Sequence, residues 1–330
     1  STMISAYGLA TSIFTVLLLS ILKALNNGLN SRCAQAYGAR EFKLVGLLFH
    51  RALIINSLFF IPFLIPIFYS EEILKIIGTD NNIAHHAARY VYYSIPGLLG
   101  QIYVFTIFTI LNACKQFTML GIINTVNAGC YLMITYILVG TLNMGIVGAA
   151  ISFSVNFLIS TVSMLVIIQY KNTLPGVFFW PKRESFQELW SLFMYEVFVG
   201  FMSWFDTIAL ALIAVLSATL PMDELAGYTI GGNVYNLFLP IVVALSLVVI
   251  PYVGNPMGEN NVHIAKRYLQ ACLLLTLWVI VAFEIGGFFI KDWLIGIFSS
   301  DEDVFESALS VFNLFLIKFP VDCFTSLLNR

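Results

Sequence analysis

The chain has 330 residues, of which 59% are hydrophobic and only 10% are charged, and its formal net charge is −2. Soluble domains carry about 25% charged residues, so this composition excludes an ordinary soluble enzyme, a disordered tail and a secreted disulfide domain. Because basic residues are not in excess, nucleic acid is excluded as a partner. The mean hydropathy of +0.90 indicates a multi-pass membrane protein in contact with membrane lipid.

Nine apolar stretches are long enough to cross the bilayer core, which takes about 20 helical residues. In chain order they are residues 4–26, 44–69, 87–111, 117–140, 145–170, 189–219, 225–251, 265–290 and 305–329. The longest polar connector, 171–188, contains two prolines and predicts a cytoplasmic linker. It separates an N-terminal lobe, residues 1–170, from a C-terminal lobe, residues 189–330. Within 225–251, we expect Pro240 and Pro251 to bend the helix.

The distribution of Lys and Arg predicts the orientation. The odd-numbered loops between these stretches hold ten of these residues and the even-numbered loops hold three. Since cytoplasmic loops carry the excess of Lys and Arg, the odd loops are expected in the cytoplasm. The first helix then enters from the outside, and we expect that a further helix precedes Ser1 and that the chain is a fragment of a longer protein.

Two short segments, residues 33–41 and 253–261, suggest an internal repeat. Gln35 corresponds to Asn255, and Gly38 corresponds to Gly258, at the same offset along the chain. Each segment is expected to end an apolar helix on the cytoplasmic side and to be followed by the next helix. Parallel repeats related by an axis along the membrane normal are typical of transporters that hold their substrate between two halves.

Five segments, in chain order, resemble motifs of the multidrug and toxic compound extrusion (MATE) transporters of the eukaryotic type. Residues 28–40 resemble the motif LDTLCGQAYGA, and residues 253–261 resemble VGNxLGAG at the matching place in the second half. Residues 95–114 resemble the stretch that ends in LQAQ, 145–150 resemble the helix opening GxxGAA, and 321–328 resemble LDxxQxVLSG. The likeness runs along most of the chain.

The resemblance implies an all-α polytopic membrane protein of two pseudo-symmetric helical bundles. About nine of the family's twelve membrane helices, the second to the tenth, are expected in this chain. It also implies a secondary active antiporter, not an enzyme, that exports drug-like or organic-cation substrates in exchange for H⁺ or Na⁺ by alternating access. We expect H⁺, no bound cofactor or metal, a monomer, and a plasma membrane or vacuolar-type location.

The sequence departs from the family pattern at three places. Asn30 stands where the first motif often has aspartate, and residues 250–252 lack the arginine that precedes VGN. Members usually have glutamate on the seventh helix, where the nearest acid here is Asp206. These departures concern the coupling mechanism more than family membership.

Three acids in the predicted spans are candidates for proton or cation coupling. An ionisable group at the centre of a membrane helix costs about 2.5–3.5 kcal/mol to insert, which favours a function for it. Asp206 lies deep in the helix over 189–219, and Glu196 lies ten residues earlier, where an interfacial position is the alternative. Asp322 matches the acid of the family's tenth helix, and a helical ion pair with Lys318 is the alternative.

The expected substrate cavity adjoins Asp206. Asn233 and Asn236 share one face of the following helix at about the depth of Asp206, so the carboxyl and the two amides are expected to meet. A structural trio that joins two helices is the alternative. Tyr228 and Trp204 are expected to belong to a cavity wall that stacks on flat organic cations.

Gln101 and Asn112, in the first half, either line the cavity or form hydrogen bonds between helices. Two other functions stay open. A lipid-linked oligosaccharide flippase of the same superfamily would have a more cationic cavity, whereas Lys318 is essentially the one intramembrane basic residue. A transport-inactive fragment is the other. A membrane-embedded enzyme would need clustered His, Asp or Cys at membrane depth, and the sequence shows no such cluster.

Overall fold

The computed structural model describes residues 6–7, 10–11, 19–76, 78–171, 174, 176–201, 205, 222–298 and 301–328. Within them every regular element is a helix: α1 Ser20–Gly38, α2 Phe42–Phe68, α3 Ser70–Ile76, α4 Asn81–Ala113, α5 Phe117–Thr135, α6 Gly145–Lys171, α7 Leu189–Phe201, α8 Met222–Asn236, α9 Leu239–Gly258, α10 Val262–Gly296 and α11 Glu302–Leu328. A π-helical turn, Tyr136–Thr141, extends α5.

Seven of the described helices are long and apolar enough to cross a membrane, namely α2, α4, α5 with its π-helical turn, α6, α9, α10 and α11. α7 is apolar over a shorter described length. The prediction of a multi-pass, all-α membrane protein is confirmed. The predicted spans 4–26 and 189–219 fall in part on residues outside the described ranges.

The first helix continues beyond the apolar stretch that predicted it. That stretch ends at residue 26, whereas α1 continues to Gly38, so most of the motif over residues 28–40 is helical. Leu25, Leu29 and Cys33 continue one buried face at helical spacing past the predicted end. The asparagines between them hid this continuation, because they lower the local hydropathy without interrupting the face.

The predicted helix over 225–251 is two helices. α8 ends at Asn236, and α9 begins at Leu239 with Pro240 in its first turn. Proline suits a first turn because the N–H groups there have no partner inside the helix. The expectation that Pro240 bends a helix is therefore wrong, since it helps to begin one, while Pro251 lies inside α9.

α1 ends in a turn built on the first motif. The Ala39 N–H donates to the Gln35 carbonyl at 2.9 Å, and the Arg40 N–H donates to the carbonyl before Gly38 at 3.0 Å. Arg40 has a φ of 63°, which is uncommon for a residue with a side chain. α2 begins two residues later, at Phe42.

α9 ends in the same turn, 220 residues further along the chain. The Glu259 N–H donates to the Asn255 carbonyl at 3.0 Å, and the Asn260 N–H donates to the carbonyl before Gly258 at 3.0 Å. Asn260 has a φ of 57°, and α10 begins two residues later. The prediction that Gln35 and Asn255, with the two glycines, occupy equivalent helix ends is confirmed.

The end of α4 adopts this turn as well. The Cys114 N–H donates to the Ile110 carbonyl at 3.0 Å, the Lys115 N–H donates to the Asn112 carbonyl at 3.0 Å, and Lys115 has a φ of 59°. The turn is thus a general solution for reversing these helices. The repeat rests on the matching motif residues at α1 and α9, and the shared turn geometry agrees with it.

The chain divides into two compact units, unit 1 from Ser1 to Trp204 and unit 2 from Phe205 to Arg330. In unit 1, α4 and α6 pack so closely that a Cβ on Gly97 would lie 2.7 Å from the Ser154 Cα. In unit 2, the core surrounds Phe312 of α11. The predicted lobe limits, at the 171–188 linker, stay a prediction.

The described part of that linker packs against α2 within unit 1, and we call residues 177–188 the strap. Gly46 of α2 lies directly under it, because a Cβ there would overlap the ring of Phe179 at 2.4 Å. His50 Nε2 donates to the Phe179 carbonyl at 2.7 Å. The first residues of the strap are therefore held by the surface of α2.

Two ion pairs hold the end of the strap. Arg51 Nη1 donates to the Glu188 carboxylate at 2.8 Å, and Lys43 Nζ lies 2.7 Å from Glu184 Oε2. The Lys43 ammonium, through its hydrogen bond and its charge, lowers the pKa of the Glu184 carboxyl. Both acids are well exposed, so these contacts position the strap more than they stabilise the fold.

Candidate functional site

The residue that the sequence singled out first, Asp206, lies outside the described residues, as does Trp204. Asn233 and Asn236, which were expected to meet Asp206, are exposed on α8 within unit 2. Their predicted meeting with the carboxyl stays a prediction. The described coupling candidates at predicted membrane depth are Asp322 in unit 2 and Glu196 in unit 1.

In unit 2, Asp322 of α11 receives two donors on one oxygen. The Tyr235 hydroxyl, from α8, donates to Asp322 Oδ2, and Lys318 Nζ donates to the same oxygen at 2.7 Å. The Asp322 side chain is 20% exposed and that of Lys318 is 36% exposed. We call these three residues the Asp322 cluster. The helical ion pair weighed as an alternative is present, and the tyrosine adds a contact from a second helix.

Glycines on α8 bring Tyr235 to α11. A Cβ on Gly227 would lie 2.8 Å from the Ala308 N, and a Cβ on Gly231 would lie 3.1 Å from the Ala308 O. Gly227, Gly231 and Tyr235 recur every four residues, so they share one face of α8. Tyr235 lies one turn after Gly231 on this face of α8. Because the two backbones approach at the glycines, its hydroxyl reaches Asp322 of α11.

Aromatic rings adjoin the Asp322 cluster. The ring of Tyr235 stacks on Phe315 with 4.7 Å between centroids and an interplanar angle of 12°, and Tyr228 lies 6.4 Å from Phe315. Lys318 Nζ is 5.6 Å from the Tyr235 ring centroid. A carboxylate, an ammonium and two stacked rings thus meet at one place, which suits the exchange of one cation for another.

In unit 1, Glu196 of α7 has no such donors. Glu196 is 1% exposed, and within the described part of the chain neither carboxyl oxygen has a hydrogen-bond partner. The nearest cation, the Arg32 guanidinium of α1, lies over the ring of Tyr195, 4.1 Å from its centroid. α1 covers this carboxyl, so Glu196 is buried between helices, and its interfacial position in the membrane stays a prediction.

Glycines also explain how α1 reaches α7. A Cβ on Gly28 would lie 2.9 Å from the Glu196 Cα, and a Cβ on Gly200 would lie 2.8 Å from the backbone carbonyl of Ala24. On α1, Ala24 and Gly28 are four positions apart, and on α7, Gly200 follows Glu196 by four positions. Small residues at this spacing allow membrane helices to pack backbone against backbone.

The other polar candidates of unit 1 are buried between helices. Gln101, Asn112 and Asn30 are at most 4% exposed. Among the described residues, the Gln101 Oε1 and the Asn30 Oδ1 have no hydrogen-bond partner. The Asn112 backbone carbonyl accepts the Lys115 N–H in the turn that ends α4. The part of Gln101 and Asn112 in a substrate cavity stays a prediction, as does the role of Asn30 in the motif.

Sequence reasoning missed the hydrogen bond of Tyr235 and the covering of Glu196. The available signal was the spacing of small residues, Ala24 with Gly28 and Gly227 with Gly231, in otherwise bulky helices. Within the described ranges, no three His, Cys, Asp or Glu side chains are grouped as metal ligands. Among the described acids at predicted membrane depth, Asp322 receives side-chain donors both from its own helix and from a neighbouring helix.

Comparisons with known proteins agree with the architecture. The MatE family model matches residues 1–137 and 191–330. Protein DETOXIFICATION 1 of Arabidopsis thaliana is 25% identical over 334 residues, which cover 99% of this chain and 69% of that protein. Multidrug and toxin extrusion protein 1 of Oryctolagus cuniculus is 26% identical over 323 residues, with coverage of 96% and 56%. This chain therefore spans about half to two thirds of the length of these relatives.

The fold is shared with a solved structure. The crystal structure of the eukaryotic MATE transporter AtDTX14 superimposes with a TM-score of 0.87 at 18% identity, covering 98% of this chain and 73% of that one. The family model matches most of the chain, on both sides of the strap, and the helical architecture agrees with it. This chain belongs to the MatE family, the multidrug and toxin extrusion (MATE) transporters.

Proposed function

We propose that this protein is a secondary active antiporter that exports drug-like or organic-cation substrates in exchange for H⁺ by alternating access, with Na⁺ as the alternative coupling ion. It acts as a monomer in the membrane. The observation that supports this proposal is the Asp322 cluster, where a carboxylate beside stacked aromatic rings already holds a tethered ammonium. The same surroundings suit a flat organic cation.

Competition for Asp322 is the core of the proposed exchange. While the carboxylate is ionised, Lys318 and Tyr235 donate to it, and a cationic substrate must displace the ammonium of Lys318 to bind there. A proton that adds to the carboxylate from water removes the negative charge that attracts both cations. Proton uptake therefore releases the substrate, and proton loss restores the site. Asp206 is proposed as a second coupling acid.

Export of a fluorescent organic cation from proteoliposomes tests the proposal. The expected result is export that requires an imposed pH gradient, collapses with a protonophore and falls at least tenfold in Asp322→Asn. Asp292→Asn, an exposed acid on α10, is the matched control and is expected to transport at the unmodified rate. Wild-type export by Asp322→Asn would refute the assigned role.

The same vesicles separate the alternatives. Export under a Na⁺ gradient without a pH gradient would change the coupling ion. Absence of dye export together with translocation of a lipid-linked oligosaccharide would replace the proposal with a flippase. Absence of both would identify a transport-inactive chain.

A further inference from the structure

Glu196 is a buried acid that the exchange at Asp322 does not use. It lies at the closest approach of α1 and α7, where Gly28 faces its Cα, and neither oxygen of its carboxyl accepts a hydrogen bond. A carboxylate in such surroundings has lost its hydration and gained no donor in return. A carboxylic acid in the same place has no charge to be solvated.

Among the described residues, the titratable and charged groups near Glu196 come from α1 and α2. From α1 they are the Arg32 guanidinium, which stacks on Tyr195, and the buried Cys33 thiol. From α2, the described contact is aromatic, with the Phe59 ring 6.3 Å from that of Phe193. The Arg51 guanidinium of α2, at the beginning of α7, is already paired with Glu188.

Arg32 is therefore the one described cation in position to form an ion pair with an ionised Glu196. It can do so only by leaving the ring of Tyr195, over which it lies at 4.1 Å. Alternatively, water must reach the carboxylate. Both carboxyl oxygens are buried, and α1 and α7 touch at Glu196 itself and again one turn further along α7, where an added carbon at Gly28 or Gly200 already overlaps the opposite backbone. We therefore expect water to reach the carboxylate only when this helix contact opens.

We propose that Glu196 is a proton-binding site that holds α1 against α7: with the proton bound the helices pack at Gly28 and Gly200, and when the proton leaves to water they separate around Arg32. Proton binding at Glu196 is independent of the proposed transport. Its effect on transport rests on that proposed function and would make the α1–α7 contact a second proton-sensitive step.

Infrared difference spectroscopy on the protein in lipid nanodiscs tests the site itself. The C=O stretch of a protonated carboxylic acid is expected at neutral pH, absent from Glu196→Gln and present in the control Glu259→Gln, an exposed acid after α9. Arg32→Gln keeps the carboxyl and is expected to extend this band to higher pH, because the cation that favours ionisation is gone. An identical carboxyl band with and without Glu196 would overturn the proposal.

Labelling of Cys33 tests the separation of the helices. Cys33 is 0% exposed, and the labelled peptide is identified by mass spectrometry, with Cys272 of α10 as the internal reference. As the pH rises, labelling of Cys33 is expected to increase more in the unmodified protein than in Glu196→Gln, where only the thiol itself ionises. Equal pH profiles in the two proteins would overturn the proposal. Neither readout needs transport, so failure of dye export would refute the proposed function alone.

Discussion

Glu196 in unit 1 and Asp322 in unit 2 occupy similar helix pairs and differ in what surrounds them. In both pairs, glycines bring two helix backbones together. Glu196 lies at such a contact, whereas Asp322 lies further along α11 and is reached by Tyr235 of α8. Asp322 receives an ammonium and a hydroxyl, whereas Glu196 receives no hydrogen bond. The comparison teaches that close helix packing alone does not decide the state of a buried acid. The donors within reach of the carboxyl, on its own helix and on the neighbouring one, decide it.

The largest expected effect comes from substituting a glycine at the close helix contact of each pair. Gly200→Ala places a Cβ 2.8 Å from the backbone of Ala24, which cannot move without shifting α1. Overpacking of this kind costs about 1–3 kcal/mol, so the thermal unfolding midpoint in detergent is expected to fall. Gly227→Ala is expected to do the same in unit 2.

Gly286→Ala on α10 is the matched control, since its Cβ would meet no atom within 4 Å. It is expected to raise the midpoint, because alanine stabilises a helix interior by about 0.5–1 kcal/mol relative to glycine. A neutral Gly200→Ala beside a harmful Gly227→Ala would break the comparison between the two helix pairs.

The next effect concerns the partner that Asp322 leaves behind. Asp322→Asn strands the Lys318 ammonium in partly buried surroundings, while the Tyr235 hydroxyl keeps an amide oxygen as acceptor. Because the pair is partly exposed, the cost is expected to lie closer to the about 1 kcal/mol of exposed pairs than to the about 3–5 kcal/mol of fully buried ones. Adding Lys318→Met should recover part of this loss, as a double-mutant cycle on the unfolding midpoint can measure.

Recovery in the double variant would show that the stranded ammonium causes the damage. If Lys318→Met restores none of the lost stability, the loss in Asp322→Asn comes from the changed contact with Tyr235. The contact between Asp322 and Lys318 would then not contribute to stability, and the contrast with Glu196 would rest on the tyrosine alone.

Glu196→Met is expected to have the opposite sign. It removes two buried oxygens that have no partner and fills a similar volume with an apolar chain, which mutational data place between neutral and stabilising by about 1 kcal/mol. The unfolding midpoint should therefore rise slightly. A loss as large as that of Asp322→Asn would mean that Glu196 makes an essential polar contact, and the two sites would no longer differ in kind.

The sequence predicts the parts of this comparison that depend on neighbours along one helix. Apolar runs predicted the membrane helices, and the spacing of four residues predicted the ion pair of Lys318 with Asp322. Tyr235 is 87 residues from Asp322, and no local pattern links them. Similarly, the burial of Glu196 depends on Gly28, which belongs to a helix at the other end of unit 1.

Helix ends show the same division between local and distant causes. The apolar stretch of α1 ends twelve residues before the helix does, because the asparagines inside the helix lower its hydropathy, although its buried face continues to Cys33. The turn at Gly38 and its counterpart at Gly258 were predicted correctly, since the motif residues themselves form the hydrogen bonds. Structure that a residue forms with its own neighbouring backbone can be predicted from sequence, whereas its contacts with a helix distant in the chain cannot.

The smallest expected effect concerns an acid that is paired but exposed, Glu184 of the strap. Lys43 lowers the pKa of its carboxyl from the usual value of 4.5, so the folded state favours the ionised form. The pair therefore contributes its stability above about pH 4.5, and this contribution is lost as the pH falls through the lowered pKa. Lys43→Met should speed amide hydrogen exchange in the strap at neutral pH.

The difference between Lys43→Met and the unmodified protein should disappear once Glu184 is protonated. Comparing the two proteins at each pH cancels the intrinsic pH dependence of exchange, and peptides from α5 serve as the reference. An exposed pair is worth little, so only strap amides are expected to respond. A difference that persists in acid would assign the effect to the packing of the Lys43 side chain rather than to its charge. The charge of Glu184 would then have no effect on the strap. The contrast between acids would rest on Asp322, which has two donors, and Glu196, which has none among the described residues.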